Sequence, residues 1–298
     1  MYSMRVIDPK QFQPKKIRHK HHKTVVLLLL CGVLLGALTY TGFWINRHDR
    51  GADSSISQKQ ESVIEIKQVE RSYATPNIFT GNELRDLYLS VLLTFPNTEF
   101  FEKPPQITGN SVADKRIQVL AEERGFQLSK IPQAALVKTD EPLLQGETDD
   151  LLQPLAYEGW LAIEAAAQGA GIPLQLYSAY RSPEWQRDLF LQRLAARGIT
   201  PEQIANGYVD GDIKDILKTV SIPGYSRHHT GYAVDFWCDD GNAIFAKSSC
   251  AAWLEKDNYL QAKQHGWIPS YPDGAEMQGP DPEPWEYVWV GKSLLFKD

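Results

Sequence analysis

The stretch SRHHTGYAVD, residues Ser226 to Asp235, places His228 and Asp235 seven residues apart around a turn at Gly231. Imidazole and carboxylate groups are ordinary zinc ligands, and a further carboxylate can act as the base of a hydrolytic metal site. Glu283 and Glu286, in the sequence EPWE downstream, supply two such carboxylates. The pattern therefore predicts a metal site of the hydrolytic type.

Secondary-structure patterns surround this motif on both sides. Residues 232–237 alternate as a strand that puts Ala233 and Asp235 on one face. Upstream, a helix is predicted over 155–170, a strand over 173–178, and a helix from the Ser182 cap to about Ala196. A helix over 251–265 and strands near 267 and 287–290 follow. Intermixed helices and short strands predict the α+β class.

The most hydrophobic stretch, Thr24 to Ile45, runs 22 residues without a charge, which suffices to cross a bilayer as a helix. Residues 1–23 hold seven basic residues and one acid, so the positive-inside rule leaves the N-terminus in the cytoplasm. A cleaved signal peptide is the alternative, but no small-x-small cleavage site follows cleanly before Trp44. We predict an uncleaved signal anchor of the cytoplasmic membrane, single-pass, with a periplasmic or extracellular domain.

The rest of the chain divides into a tether and one globular region. Residues 46–81 are mostly polar and predict a solvated tether, and residues 82–298 form the predicted extracytoplasmic domain. Of 31 basic and 37 acidic residues, 24 and 36 lie beyond residue 23. Nucleic acid is not an expected partner of so acidic a domain.

Two of the three cysteines, Cys238 and Cys250, flank the segment that follows the metal motif. In an exported domain they could pair as a disulfide, and two buried free thiols are the alternative.

Three blocks of sequence together resemble a known family. They are Ser226-x-His228-x-x-Gly231-x-Ala233-x-Asp235, the segment Ser178 to Ser182 with Gln186 one helical turn on, and Glu283-Pro284-Trp285. In this order they resemble the VanY-like D-alanyl-D-alanine carboxypeptidases of the LAS metallopeptidases. The resemblance covers residues 155–291 and implies one LAS-type domain, with a small antiparallel sheet and flanking helices.

The resemblance implies a role for each matching residue. His228 and Asp235 would be metal ligands, Glu283 the general base, and Arg181 the group that holds a substrate oxygen. Ser226 and Gln186 would be further substrate contacts. The implied cofactor is one zinc ion per chain, and the implied substrate is the peptidoglycan stem peptide.

The third ligand departs from the family pattern, which has histidine where this chain has Glu286. A carboxylate can coordinate zinc, and its extra negative charge would also suit a harder ion such as manganese. We predict Glu286 as the third ligand, with a different ligand or a site without metal as alternatives.

These residues lead to three hypotheses of function. The first is a membrane-anchored metallo-carboxypeptidase that releases terminal D-alanine, since Arg181 could grip a free carboxylate. A peptidoglycan endopeptidase is the second. A catalytically silent domain that binds the cell wall or acts as a scaffold is the third.

Overall fold

The computed structural model describes residues 80–139 and 150–296. The predicted cytoplasmic tail, the transmembrane span 24–45 and nearly all of the tether lie outside the described residues. Within those two ranges, no helix has the length and hydropathy needed to cross a membrane.

Helices and short strands alternate along the described chain. In order they are α1 (Gly81–Thr94), β1 (Thr98–Phe100), α2 (Ser111–Glu123), β2 (Lys130–Pro132), β3 (Val137–Lys138), β4 (Leu151–Leu152), α3 (Pro154–Gly169), β5 (Leu174–Ser178), α4 (Pro183–Ala196), α5 (Pro201–Ala205), α6 (Asp210–Ile216), β6 (Ala233–Cys238), α7 (Ser249–Gln264), β7 (Trp267–Pro269) and β8 (Glu286–Trp289). Short 3₁₀ helices lie at Arg227–Thr230, Phe245–Lys247 and Lys292–Leu294.

A four-stranded antiparallel sheet, in the order β5-β6-β8-β7, brings residues of the three motif blocks next to one another. Asp235 at the middle of β6 pairs with Glu286 on β8 and with Ser178 at the end of β5. Two further antiparallel pairs, β1-β2 and β3-β4, lie outside this sheet. The prediction of an α+β fold with a small antiparallel sheet and flanking helices is confirmed.

Local sequence signals explain where the helices next to the sheet begin. Ser182 caps α4 by accepting a hydrogen bond from the backbone N–H of Trp185, and Pro183 occupies the first helical position. Pro154 likewise occupies the first position of α3, where the preceding residue makes no side-chain cap hydrogen bond. The α4 cap fixes the chain direction immediately after Arg181, which therefore lies at the junction of strand and helix.

The main core lies on the face of the sheet opposite Asp235. Phe236 of β6 packs against Trp160 of α3, with ring centroids 5.7 Å apart, and against Tyr287 of β8 at 5.1 Å. Val234 belongs to the same core, and the alternation of side chains along β6 places Asp235 on the face opposite Val234 and Phe236. Burial of these large rings stabilises the strand that carries the metal motif.

The segment from α1 to β2, which the sequence left without a role, packs directly against the metal motif. The Ser129 backbone N–H donates to the carbonyl of Gly224 at 2.8 Å, and the Tyr232 hydroxyl donates to the carbonyl of Pro96 at 3.2 Å. The Phe95 and Tyr232 rings stack with centroids 4.5 Å apart. This N-terminal segment is therefore part of the fold that holds the motif.

A disulfide joins Cys238, the last residue of β6, to Cys250 near the start of α7. Replacing both cysteines by alanine is expected to lower the free energy of unfolding by about 3 kcal/mol, because a short covalent loop restricts the unfolded chain. Denaturant unfolding under non-reducing conditions measures this loss. Wild type with added reductant should show a similar loss, and equal stability of wild type and variant would contradict the prediction.

Candidate metal centre

The 3₁₀ helix Arg227–Thr230 directs His228 toward the sheet. It ends at Gly231, which adopts a left-handed backbone with φ of 73°. A Cβ at this position would lie 3.0 Å from the Leu136 side chain and 3.2 Å from that of Gln153. Glycine is thus required by both conformation and space, since it lets the chain turn directly into β6.

The hydrogen bond at one nitrogen of His228 leaves the other free to coordinate. Nδ1 lies 2.6 Å from the backbone carbonyl of Ala179, an acceptor, so Nδ1 carries the proton and donates it. Nε2 then faces the carboxylates of Asp235 and Glu286, at 3.4 Å from each. A backbone carbonyl that fixes the tautomer in this way is a common partner of metal-binding histidines.

Three candidate ligand atoms, one each from His228, Asp235 and Glu286, lie within 4.8 Å of one another. All three side chains are buried, and each has an atom without a hydrogen-bond partner: Nε2, Oδ1 and Oε1 respectively. Buried polar atoms are normally hydrogen-bonded, so unpartnered atoms on three side chains this close together indicate a site for a further partner. One nitrogen and two carboxylate donors fit a divalent cation.

The electrostatics of the triad favour a positive charge at its centre. Burial and the Arg181 charge lower the pKa of His228, but Asp235 and Glu286 outweigh them and raise it to about 9. Burial would raise the pKa of Asp235, yet the charges of His228 and Arg181 hold it below its usual range. Asp235 and Glu286 together therefore favour positive charge next to the His228 ring.

Arg181 contacts the triad from the strand-to-helix junction. It donates from Nη2 to Asp235 and at 3.0 Å to the Ser178 hydroxyl, to which Nε also donates at 3.2 Å. Its guanidinium lies over the ring of Trp185, 5.7 Å from the centroid. Nη1 of Arg181 has no hydrogen bond within the described residues, so this nitrogen remains available to donate to a substrate oxygen.

Glu283 is held close to the triad by a tight turn in EPWE, in which the Glu286 backbone N–H donates to the Glu283 carbonyl at 3.1 Å. Burial, followed by the charges of Glu286 and Asp235, raises the pKa of Glu283 well above its usual range. A carboxylate with a raised pKa is a better proton acceptor than an ordinary one. The geometry thus gives Glu283 the properties of a general base.

The two predicted substrate contacts, Ser226 and Gln186, are both buried. Gln186 donates from Nε2 to the backbone carbonyl of Ser221 at 2.7 Å, while its Oε1 has no partner. Ser226 is the first residue of the metal motif and lies immediately before the 3₁₀ helix. Their roles toward a substrate stay predictions.

His229 uses both ring nitrogens within the protein, and its role was not visible in the sequence. Nδ1 lies 2.6 Å from the Arg181 carbonyl, and Nε2 accepts from the backbone N–H of Gly224 at 3.0 Å. This pattern requires a neutral imidazole with its proton on Nδ1. His229 therefore ties the backbone of Arg181 to the loop before the metal motif.

The buried, neutral state of His229 predicts a pH dependence of stability. Burial lowers its pKa from 6.5 to about 4, so unfolding takes up a proton between these values and stability falls as pH drops through this window. At pH 7, the free energy of unfolding of wild type should be larger than that of a His229→Asn variant. The difference between the two free energies should become smaller toward pH 4. Urea unfolding of the metal-free proteins at several pH values tests it, and a constant difference would contradict it.

Comparison with known proteins agrees with this site. Residues 149–292 match the family model "VanY: D-alanyl-D-alanine carboxypeptidase", a range that contains Arg181, His228, Asp235, Glu283 and Glu286. The chain carries a VanY-like domain. Over residues 149–292 it is similar to the D-alanyl-D-alanine carboxypeptidase family that the three blocks resemble.

A curated D-alanyl-D-alanine carboxypeptidase of Enterococcus faecalis is 33% identical over 132 residues, which cover 42% of this chain and 43% of that protein. The chain thus spans less than half the length of this relative. Among solved structures, VanYB in complex with D-alanine-D-alanine is 24% identical, with a TM-score of 0.40 over 54% of this chain and 79% of that one. A vancomycin resistance D,D-pentapeptidase VanY in complex with Zn(II) is 23% identical, with a TM-score of 0.40 over 57% and 88%.

Proposed function

We propose that this protein is a zinc-dependent peptidase that cleaves the peptidoglycan stem peptide, releasing a terminal D-alanine. The observation that carries the proposal is the close approach of three buried side chains, His228, Asp235 and Glu286, whose candidate ligand atoms lie within 4.8 Å and each of which has a polar atom without a hydrogen-bond partner among the described residues. Glu283 and Arg181 stand beside this triad. The VanY match over residues 149–292 supports the same reaction class.

His228, Asp235 and Glu286 would hold the metal ion. When bound, the ion supplies Lewis acidity, which polarises a carbonyl and acidifies water. Three protein ligands leave a fourth position open, the arrangement found in catalytic rather than structural zinc sites. The two carboxylates among the ligands are also compatible with manganese.

Glu283 accepts the proton of the attacking water and delivers it to the leaving amine. Burial and the charges of Glu286 and Asp235 raise the pKa of Glu283 well above its usual range, which makes it a stronger proton acceptor than an ordinary carboxylate. Arg181 offers Nη1 to the terminal carboxylate of the substrate, while Nη2 and Nε stay on Asp235 and Ser178. This division of donors orients the substrate without releasing the triad.

The proposed cellular setting follows from the N-terminal sequence and the disulfide. Residues 24–45 would anchor the chain in the cytoplasmic membrane and place the domain outside the cytoplasm. The disulfide between Cys238 and Cys250 suits an oxidising compartment, where peptidoglycan is also found.

The test combines metal content with peptide hydrolysis. The purified full-length protein should hold about one metal ion per chain and should release D-alanine from a stem pentapeptide. A cross-linked stem dimer serves as a second substrate, and cleavage of the dimer instead would make the protein an endopeptidase. A folded protein without metal, even after loading with zinc or manganese, would favour the silent wall-binding domain.

A further inference from the structure

The arginine that precedes the metal ligand His228 is buried in an aromatic sandwich. The Arg227 guanidinium lies 4.2 Å from the ring centroid of Tyr88 on α1 and 4.3 Å from that of Tyr271, beyond β7. Only 8% of the residue is exposed. Two aromatic faces stabilise a desolvated guanidinium and hold its plane in a fixed position.

In the described part of the chain, the hydrogen-bond acceptors of Arg227 are neutral oxygens. Nη1 donates to the backbone carbonyl of Ser270, and Nη2 donates to Oε1 of Gln278 at 3.0 Å. A buried cation is costly unless negative charge lies near enough to compensate it. The nearby negative charges that act on Arg227 are Glu286 and Glu283, both of the proposed site.

A short hydrogen-bonded path connects this arginine to the third ligand. The Ser270 carbonyl accepts from Arg227, and the Ser270 backbone N–H donates to the Glu286 carbonyl at 2.9 Å. Arg227 thereby fixes the peptide that pairs with Glu286 at the start of β8. Both the position of Glu286 and the potential around it depend on the same guanidinium.

The charges around the triad show why a second cation is needed. Asp235, Glu283 and Glu286 place three carboxylates around one imidazole, and like charges at such distances oppose each other. Arg181 pairs with Asp235 on one side. The other side, where Glu286 lies, has Arg227.

We propose that Arg227 is a positioning residue for Glu286, which holds this carboxylate in place and offsets its charge so that it can serve as a metal ligand. The inference rests on the proposed metal centre and adds Arg227 to it. One of the two aromatic rings that enclose Arg227, that of Tyr88, belongs to α1 and lies outside the segment 149–292. Tyr88 and Tyr271 are the supports that keep the guanidinium in position.

The experiment is a double-substitution cycle read by metal affinity rather than by activity. Zinc binding is measured by competition with a chelator for wild type, Arg227→Met, Glu286→His and the double variant. Arg227→Met should weaken zinc binding at least about tenfold, the range seen when a residue that orients a metal ligand is lost. In the Glu286→His background, where position 286 is neutral, the same change should have a much smaller effect.

Two further variants separate this role from a general effect on folding. Arg227→Lys keeps the positive charge but loses the planar guanidinium and its two hydrogen bonds. It should therefore retain more zinc affinity than Arg227→Met. Arg116→Met, which removes a half-exposed ion pair with Asp210, is the matched control and should bind zinc like wild type. If Arg227→Met does not fold, the zinc affinity of Arg227→Lys is measured with glutamate and with histidine at position 286. The loss of affinity caused by Arg227→Lys should be smaller with histidine at 286 than with glutamate.

The outcomes distinguish this inference from the proposed function. Wild-type affinity in Arg227→Met would overturn the positioning role, and an equal loss with glutamate and histidine at 286 would overturn the charge offset. Either result would leave the metal centre intact. A wild type that binds no zinc would overturn the metal centre and, with it, this inference.

Discussion

Replacing Glu283 by glutamine is expected to lower kcat for stem-peptide hydrolysis by about 10²- to 10⁴-fold, the usual contribution of a positioned general base. The amide has nearly the same shape but cannot accept the proton of water. Burial and the neighbouring acids already favour the protonated, neutral Glu283 in the metal-free protein. The substitution should therefore leave stability and zinc content close to those of wild type.

Release of D-alanine from a pentapeptide measures the effect, and zinc content and thermal unfolding are measured on the same sample. Glu202→Gln, an equivalent change at an exposed position on α5, is the matched control and should retain full activity. A Glu283→Gln variant that keeps wild-type kcat would remove Glu283 from the role of base. Loss of zinc together with activity would instead show that the change damages the metal centre.

The parts of the fold that short-range patterns determine were predictable from the sequence. The Ser182 cap with Pro183 marked the start of α4, and the alternation in residues 233–238 separated Phe236 from Asp235. These signals depend on neighbours a few residues away, so they survive without knowledge of the tertiary structure. The helix predicted over 155–170 likewise corresponds to α3 within a residue.

The environment of the site depended on contacts that no local pattern reveals. Tyr88 and Tyr271 enclose Arg227 from distant parts of the chain, and neither lies in a motif. The role of His229 also depends on distant partners, the backbone groups of Arg181 and Gly224. The sequence gives a weak indication of the contacts of Arg227 only, because this residue lies inside the metal motif. A long cationic side chain at such a position needs negative charge or aromatic rings next to it.

Glu286→Ala is expected to have the second large effect, because Glu286 is the proposed third metal ligand. Its Oε1 is a buried, unpartnered atom of the triad, and its side chain lies 3.4 Å from Nε2 of His228. Removing one of three ligands should weaken zinc binding by more than about 100-fold, beyond the losses typical of groups that only orient a ligand.

Thermal unfolding with and without zinc reports this loss independently of catalysis. A ligand that binds only the folded state stabilises it by about 4 kcal/mol at a thousand times its dissociation constant, so zinc should raise the Tm of wild type clearly. At the same zinc concentration a 100-fold weaker site keeps about 1.4 kcal/mol of this stabilisation, so zinc should raise the Tm of Glu286→Ala much less than that of wild type. Glu123→Ala, an exposed acid at the end of α2, should respond like wild type. If zinc raised the Tm of Glu286→Ala as much as that of wild type, Glu286 would not be the third ligand. His228 and Asp235 would then bind metal with a different third ligand, because two protein ligands alone do not account for a catalytic zinc site.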